Sequence, residues 1–168
     1  MTDLVTERLV LHRLSIGEAE ALVAGMPAGG VHRAPEYPTD GDVSAAKRFL
    51  RSCTEGSGAR HPGAYEIRRR DDGCVIGGVE FHGPADEDGS VTIGYGLVPS
   101  ARGRGYASEA LAALLAFARE NGITCVRGDA DHGNVASQRV MTAAGMRLVA
   151  EDARVRYYET AWTETPAT

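Results

Sequence analysis

The sequence predicts a mixed domain of helices and strands, of the α+β or α/β type, and three observations support this prediction. Short segments that alternate apolar and polar residues recur along the chain and are typical of strands. Segments with an apolar stripe at helical spacing stand between them, the clearest over residues 106–121. No internal repeat or linker divides the chain, so we expect one domain over residues 4–162 and a frayed tail over residues 163–168.

The first elements are predicted from alternation and capping. Residues 4–14 alternate apolar and polar side chains and predict one strand. Ser15 is a typical helix cap, which places a short helix over residues 16–24. Residues 27–42 are rich in glycine and proline, and a loop of this length is often functional. A second helix is predicted over residues 43–53.

Three strands are predicted in the middle of the chain. The first two are joined by a hairpin-type turn, Asp-Asp-Gly, at residues 71–73. The third contains Gly94 and Gly96, and glycines inside a strand indicate a bulge or a close backbone approach by a ligand. The strands are predicted over residues 64–70, 75–82 and 90–98.

The remaining elements follow from helical periodicity and end signals. The helix over residues 106–121 ends before Gly122, and a later helix opens at the cap-type residue Asn134 and closes at Gly145. The complete set is a helix over 106–121, a strand over 123–130, a helix over 134–144, and strands over 146–150 and 154–162.

Composition limits the class of function. The 43% hydrophobic and 24% charged fractions are ordinary for a soluble globular protein, and the net charge of −5 argues against nucleic acid and mildly favours cationic substrates. Cys53, Cys74 and Cys125 fit no zinc or disulfide pattern and are interpreted as reduced thiols. No apolar run reaches membrane-span length and no signal-peptide pattern opens the chain, so we expect a cytoplasmic protein without a membrane partner.

The most informative stretch lies between the predicted strand ending at Val98 and the helix beginning near Tyr106. Its glycines mark a strand-to-helix turn, and such a turn directs backbone N–H groups and a helix N-terminus at one point. This arrangement predicts a phosphate site. Lys47 is the only lysine, so the turn lacks the lysine of a Walker P-loop, which makes ATP and GTP weak candidates.

The chain resembles the GNAT N-acetyltransferase superfamily, and within it the branch that includes the ribosomal-protein N-terminal acetyltransferases. Members carry Gln/Arg-x-x-Gly-x-Gly/Ala, which residues 102–107 match. Segments 93–99 and 108–111 and a second motif over 134–145 follow the family order, as do the elements over residues 4–162. The resemblance implies a central, mostly antiparallel twisted sheet with a bulged, splayed strand, flanked by about four helices.

The resemblance also implies acetyl-CoA as the acetyl donor and no metal. Its pyrophosphate is expected on the amides of residues 103–107, and its pantetheine arm along the end of the splayed strand, whose unpaired backbone groups can bind its amides. Asn134 is interpreted as a helix cap, as a residue of the CoA site, or as both, since the two roles are not exclusive. The implied binding residues are Leu97, Val98, Arg102, Gly103, Arg104, Gly105, Tyr106, Ala107, Asn134 and Ser137.

Acetyl transfer to an amine needs a donor for the oxyanion and a proton for the departing thiolate. We expect an N–H near Leu97 or Val98 to supply the first. Many GNAT enzymes use a tyrosine seven residues after the helix-opening asparagine as the acid, but Met141 stands there and is interpreted as core packing. Ser137 or a bound water is then the candidate acid, unless Ser137 only bonds its own helix backbone.

The best candidate for the base is Glu80, which shares a strand face with His82, although a solvated strand residue is an equal alternative. His82 could shuttle protons but is more often structural in such a position. Asp129 and Asp131 are weaker alternatives that could bind a cationic substrate.

The expected acceptor is a primary amine. An α-amine with a pKa of ~8 is about 10% neutral at pH 7, whereas a lysine near 10.4 must lose a proton at a cost of roughly 4 to 5 kcal/mol. A site without an assured strong base therefore favours a protein N-terminal α-amine. Two alternatives stay open: acetylation of a small-molecule amine, such as an aminoglycoside, an amino-acid derivative or a polyamine, and an acyl-CoA-binding sensor without turnover. The resemblance is compatible with a monomer or a homodimer.

Overall fold

The computed structural model describes residues 3–26, 29–54 and 61–162. Over these residues the chain forms four α-helices and eight strands. The helices are α1 (Ile16–Val23), α2 (Asp40–Thr54), α3 (Tyr106–Glu120) and α4 (Val135–Ala143). The strands are β1 (Leu4–Val5), β2 (Leu9–Arg13), β3 (Ala64–Arg69), β4 (Val75–Phe81), β5 (Ser90–Leu97), β6 (Cys125–Asp131), β7 (Arg147–Glu151) and β8 (Val155–Ala161).

The described strands form one sheet in the order β1-β2-β3-β4-β5-β6-β8-β7. Every neighbouring pair is antiparallel except β5 and β6, which run parallel. The predicted mixed fold with a mostly antiparallel sheet and four helices is therefore confirmed. The predicted frayed tail over residues 163–168 lies outside the described residues.

The prediction of one strand over residues 4–14 is wrong. The chain turns back after Val5, and β1 pairs with β2 in an antiparallel hairpin that sets Leu4 opposite Leu11. Thr6 closes the turn, because its backbone N–H donates to the Leu9 carbonyl at 2.9 Å and its hydroxyl accepts the Leu9 N–H at 3.0 Å. A hydroxyl that pairs with nearby backbone gives the chain a local alternative to an extended strand.

Helix capping explains the starts of the first two helices. Ser15 caps α1, as predicted, and forms a capping box with Glu18, which is not among the predictions from the sequence. Helix α2 begins three residues earlier than predicted, at Asp40, because Thr39 and Asp42 bond each other reciprocally. The Thr39 N–H donates to Asp42 Oδ2 at 2.9 Å, and the Asp42 N–H donates to the Thr39 hydroxyl at 3.3 Å. Part of the predicted long loop is therefore helix.

Helices cover both faces of the sheet near β4. Glu80 meets Arg48 of α2 on one face. On the opposite face, the ring centroids of Phe81 and Phe117 of α3 lie 6.3 Å apart. Alternate residues of β4 therefore point toward different helices, which separates an α2 side from an α3 side. No helix in the described part of the chain is long and apolar enough to cross a membrane.

Strands β5 and β6 separate partway along their length. Their pairing covers Ser90 to Thr92 and stops there. On its other edge β5 stays paired with β4 as far as Leu97, opposite Gly77, without a shift in register. The predicted splay is thus present, but it arises on the β6 edge and needs no bulge in the β4–β5 ladder.

Candidate active site

A cleft of about 550 Å³ opens where β5 leaves β6, beside the first turns of α3 and α4. Most of the predicted binding residues contribute to its walls, whereas Val98 and Arg104 do not. The predicted residues that line the cleft are Leu97, Arg102, Gly103, Gly105, Tyr106, Ala107, Asn134 and Ser137.

The loop before α3 presents its backbone N–H groups. Gly103 and Gly105 have φ values of 80° and 82°, a left-handed conformation that side-chain-bearing residues seldom adopt. Helix α3 begins at Tyr106 with no side-chain cap, so its first N–H groups lack the acceptor that a cap would supply. A free helix N-terminus behind a glycine loop is suited to bind a phosphate group.

Arg8 holds this loop from the β1–β2 turn. Its Nε donates to Glu109 Oε1 at 2.7 Å, and its Nη1 donates to the Arg104 carbonyl at 2.9 Å. The Arg8 backbone N–H also donates to Glu109 Oε2 at 2.8 Å, and its guanidinium lies 4.6 Å from the centre of the Tyr106 ring. These contacts fix the Arg104 carbonyl on the side of Arg8 and tie the loop to the first turn of α3.

The exposed edge of β5 supplies a second set of backbone groups. Residues 92 and 98 are hydrogen-bonded on the β4 side. The Thr92 carbonyl accepts the His82 N–H at 2.8 Å, and the Val98 N–H donates to the Ile76 carbonyl at 2.9 Å. Strand alternation therefore directs the backbone groups of Tyr95 and Leu97 away from β4, toward the gap that β6 leaves. The Leu97 carbonyl accepts Arg102 Nε there at 3.2 Å.

The prediction that the Val98 N–H could serve as oxyanion donor is wrong. That N–H already bonds the Ile76 carbonyl, and Val98 is fully buried and outside the cleft wall. The Leu97 N–H is the alternative that faces the gap. Arg104 likewise contributes its carbonyl to Arg8 and not its side chain to the cleft wall.

Asn134 and Ser137 open α4 at the cleft. Asn134 Oδ1 accepts the Ser137 N–H at 3.1 Å, which is the capping role, and Asn134 also lines the cleft. Met141 lies one turn beyond Ser137 and is fully buried. A Cβ placed on Gly128 of β6 would lie 2.9 Å from the Met141 sulfur. The interpretation of Met141 as core packing is therefore confirmed.

Tyr95 joins β5 to α4 across the cleft. Its hydroxyl lies 2.6 Å from Ser137 Oγ, and either of these two hydroxyls can be the donor. The Tyr95 hydroxyl can also donate its proton to the Ser137 carbonyl at 3.0 Å. Burial raises the pKa of the Tyr95 hydroxyl, so the group is neutral and protonated near pH 7. Tyr95 is not among the residues predicted from the sequence, although a tyrosine between Gly94 and Gly96 is a visible signal.

A second cavity, of about 200 Å³, lies on the α2 side of the sheet. It is lined by residues of α1, α2, β3, β4 and β5, and its polar lining includes Thr39, Asp42, Arg48, Glu80 and His82. Tyr95 and Gly96 line both this pocket and the cleft, so the two cavities adjoin at β5. A Cβ on Gly96 would have no neighbouring atom within 4 Å, so the wall between the cavities is thin at this residue.

Glu80 is the buried carboxylate of this pocket. Its relative exposure is 5%, so the alternative of a solvated strand residue is wrong. Oε1 pairs with Arg48, whereas Oε2 is buried without a hydrogen-bond partner among the described residues. Burial raises the pKa of Glu80, and the Arg48 guanidinium offsets part of that rise. An unpaired oxygen with a raised pKa is suited to accept a proton from an amine.

His82 stands beside Glu80, with Nε2 3.7 Å from Glu80 Oε1. Burial, together with the charge of Arg48, lowers the pKa of His82, so the ring is neutral near pH 7. Gly94 makes room for it, because a Cβ there would lie 2.6 Å from His82 Nε2. Asp129 and Asp131 are exposed on β6 and line neither cavity, so a role for them in binding a cationic substrate stays a prediction.

The site combines a glycine loop before an uncapped helix, a splayed strand, and a second pocket that adjoins the splay. Residues 8–147 match the acetyltransferase (GNAT) domain. The chain therefore belongs to the GNAT acetyltransferase family and is an acyltransferase.

Curated relatives agree with this assignment. The chain is 26% identical to the uncharacterized N-acetyltransferase YjdG of Bacillus subtilis over 125 residues, which cover 73% of this chain and 74% of YjdG. It is also 26% identical to the uncharacterized N-acetyltransferase YoaA of the same organism over 149 residues, 86% of this chain and 82% of YoaA.

Solved structures share the fold. RimL, the ribosomal L7/L12 α-N-protein acetyltransferase in complex with coenzyme A, has a TM-score of 0.67 at 18% identity, covering 95% of this chain and 98% of RimL. The microcin C7 self-immunity acetyltransferase MccE, in complex with acetyl-CoA and AMP, has a TM-score of 0.62 at 16% identity, with 94% of each chain covered.

Proposed function

We propose that the chain transfers an acetyl group from acetyl-CoA directly to a primary amine. The observation that carries this proposal is the junction at Tyr95 and Gly96, where a cleft suited to the donor meets a pocket that holds Glu80. Direct transfer requires the donor carbonyl and the amine nitrogen to meet at one point, and this junction supplies one.

The cleft fits the chemistry of acetyl-CoA. The amides of residues 103–107 and the start of α3 would hold the pyrophosphate, and the free edge of β5 at Tyr95 would pair with a pantetheine amide. Arg102 stands at the same opening with its Nε fixed on Leu97. The Leu97 N–H is the proposed donor to the oxyanion, a type of donor that is worth roughly 100- to 1000-fold in rate.

The residues at the junction have separate roles in proton transfer. Glu80 Oε2 accepts the proton that the amine nitrogen loses as the N–C bond forms. Ser137, on the cleft side, is the proposed donor to the sulfur when the C–S bond breaks. The amine nitrogen loses one proton and the sulfur gains one, so the overall transfer needs no other reactant.

The proposed acceptor class is an amine of low pKa, with a protein N-terminal α-amine as the first candidate. Glu80 is paired with Arg48, which limits its strength as a base toward a lysine ammonium group. RimL is named as an α-N-protein acetyltransferase and MccE as a microcin C7 self-immunity acetyltransferase, and the pocket of about 200 Å³ is compatible with a compact amine.

A panel of amines tests this proposal. Free-thiol release from acetyl-CoA would be measured with short peptides, Nα-blocked lysine, amino acids, polyamines and aminoglycosides. We expect saturable release with α-amines and at least about tenfold less with Nα-blocked lysine, because the lysine amine is mostly protonated near neutral pH. Equal or better turnover of the lysine side chain would contradict the acceptor class.

Arg8 is expected to support donor binding without taking part in the transfer. The change Arg8→Met removes the bonds to Glu109 and to the Arg104 carbonyl, so the loop amides lose their fixed orientation. We expect the Kd for acetyl-CoA to rise about fivefold, which corresponds to about 1 kcal/mol or one ordinary net hydrogen bond, with kcat within about twofold of wild type. Isothermal titration and steady-state kinetics measure the two quantities.

Arg70→Met is the matched control for this prediction. Arg70 Nη1 bonds the carbonyls of Thr6 and Glu7 in the same turn, at 2.9 and 3.0 Å, and does not hold the Arg104 carbonyl of the glycine loop. A loss of affinity as large in Arg70→Met as in Arg8→Met would show that the effect comes from the turn in general and not from the loop contact.

A further inference from the structure

Six tyrosines occur in the sequence, all within the described residues, and Tyr95 alone lines both cavities. Tyr37 and Tyr65 line only the second cavity, the one that holds Glu80 and is called the acceptor pocket below. Tyr106 lines only the cleft. Tyr95 therefore occupies the position where the bond to sulfur must break under the proposed function, on which this inference rests.

Neither Met141 nor Ser137 alone is a good source of the proton that the departing thiolate needs. Met141 has no proton to give, and its side chain is buried against the β6 side of the core. Ser137 lines the cleft, but an aliphatic hydroxyl that gives up a proton alone becomes a strongly basic alkoxide. A phenol is intrinsically a stronger acid than an aliphatic hydroxyl, although burial raises the pKa of Tyr95. The Tyr95 hydroxyl lies 2.6 Å from Ser137 Oγ, within proton-transfer distance.

We propose that Tyr95 and Ser137 form a two-hydroxyl relay that protonates the leaving sulfur. As the C–S bond breaks, its electron pair stays on sulfur, which takes the proton of Ser137 Oγ. Ser137 Oγ in turn takes the proton of the Tyr95 hydroxyl. The resulting tyrosinate regains a proton from solvent, and the proton that the amine has passed to Glu80 returns to solvent, so the sum of protons is unchanged. Tyr95 acts through Ser137 and is a positioning residue.

The observed geometry permits the relay in one of its two hydrogen-bond arrangements. The Tyr95 hydroxyl can donate to the Ser137 carbonyl at 3.0 Å or to Ser137 Oγ at 2.6 Å. In the second arrangement the Ser137 proton is free to point into the cleft. The short contact also couples the two hydroxyls, so removal of either one breaks the same path.

Three variants test the relay: Tyr95→Phe, Ser137→Ala and the double variant. Each single change is expected to lower kcat about 100-fold, at the low end of acid–base contributions, and the double variant is expected to be no slower than the slower single variant. The Kd for CoA is expected to stay within about twofold in each. Tyr158→Phe serves as control, because Tyr158 is buried on β8 and lines neither cavity.

A proton inventory in mixtures of H2O and D2O separates the relay from a packing role. With two protons in flight, single-turnover rates of the wild type should give a curved plot, and Tyr95→Phe should give a straight one. Multiplicative losses in the double variant, a raised Kd, or wild-type kcat in Tyr95→Phe would each overturn the relay. Absence of thiol release from the wild type would instead overturn the proposed function.

Discussion

The change Glu80→Gln is expected to lower kcat/KM for the amine by roughly 100-fold or more, the scale of a lost general base. The amide keeps the size of the side chain but cannot accept the proton at the position of the buried Oε2. The Kd for acetyl-CoA should stay near wild type, because Glu80 lines the acceptor pocket and not the cleft. Initial rates of thiol release and titration with CoA measure these two quantities.

Glu66→Gln is the matched control. Glu66 is also a buried glutamate paired with an arginine, since Arg68 Nη2 lies 2.6 Å from its Oε1, and it lies one strand away on β3. Unlike Glu80, it lines neither cavity. Removing this charge should change stability and leave kcat/KM within a few-fold of wild type. Equal losses in the two variants would assign the effect to buried charge and not to the base.

The pH dependence of an Arg48 variant is a second test of Glu80 as the general base. Proton acceptance requires ionised Glu80, so activity falls as pH decreases through the pKa of that group. Arg48 holds that pKa down against the effect of burial. In Arg48→Met the pKa of Glu80 should rise, and the acid limb of the kcat/KM profile should move to higher pH for the same amine. An acid limb that stays at the same pH, or moves to lower pH, would show that Glu80 is not the base.

Gly103→Ala is expected to weaken acetyl-CoA binding by about 30-fold, which corresponds to about 2 kcal/mol. Gly103 has a φ of 80°, so an alanine there must either bear strain or rotate the peptide units that present the loop amides. Loss of one charge-assisted hydrogen bond to the pyrophosphate would account for this magnitude. Isothermal titration with acetyl-CoA measures the change directly.

Gly122→Ala provides a closely matched comparison at the other end of α3. Gly122 has a φ of 82°, and a Cβ added at either Gly103 or Gly122 would have no neighbouring atom within 4 Å. Both substitutions should lower the free energy of unfolding by a similar amount, about 1–2 kcal/mol. Only Gly103→Ala should lose affinity for acetyl-CoA. An equal loss of acetyl-CoA affinity in both variants would show that the effect comes from lower global stability and not from the loop amides.

Local signals in the sequence are sufficient to predict much of the fold. Ser15 caps α1 as predicted, and the glycines at 103 and 105 form the strand-to-helix turn. The prediction of one strand over residues 4–14 fails because alternation continues through the β1–β2 turn, where Thr6 reverses the chain by a side-chain bond. Alternation cannot distinguish a long strand from two short paired ones.

The acid–base groups of the site are harder to place because they depend on strand register and long-range contacts. Whether residue 97 or 98 faces the gap depends on which of them bonds β4, and no local pattern contains that information. Arg48 meets Glu80 across 32 residues of sequence, and Tyr95 meets Ser137 across 42. Glu80 can be found because it shares a strand face with His82, a property of the local period.

The most direct test of the proposed acetyl transfer is the stoichiometry of one reaction. Wild-type protein would be incubated with acetyl-CoA and the best amine of the panel, and free CoA thiol and acetylated amine would be quantified together by mass spectrometry. We expect equal amounts of the two products, with the acetyl group on the amine nitrogen and both products strongly reduced in Glu80→Gln. Saturable binding of acetyl-CoA with no thiol release for any amine would contradict acetyl transfer and favour an acyl-CoA sensor.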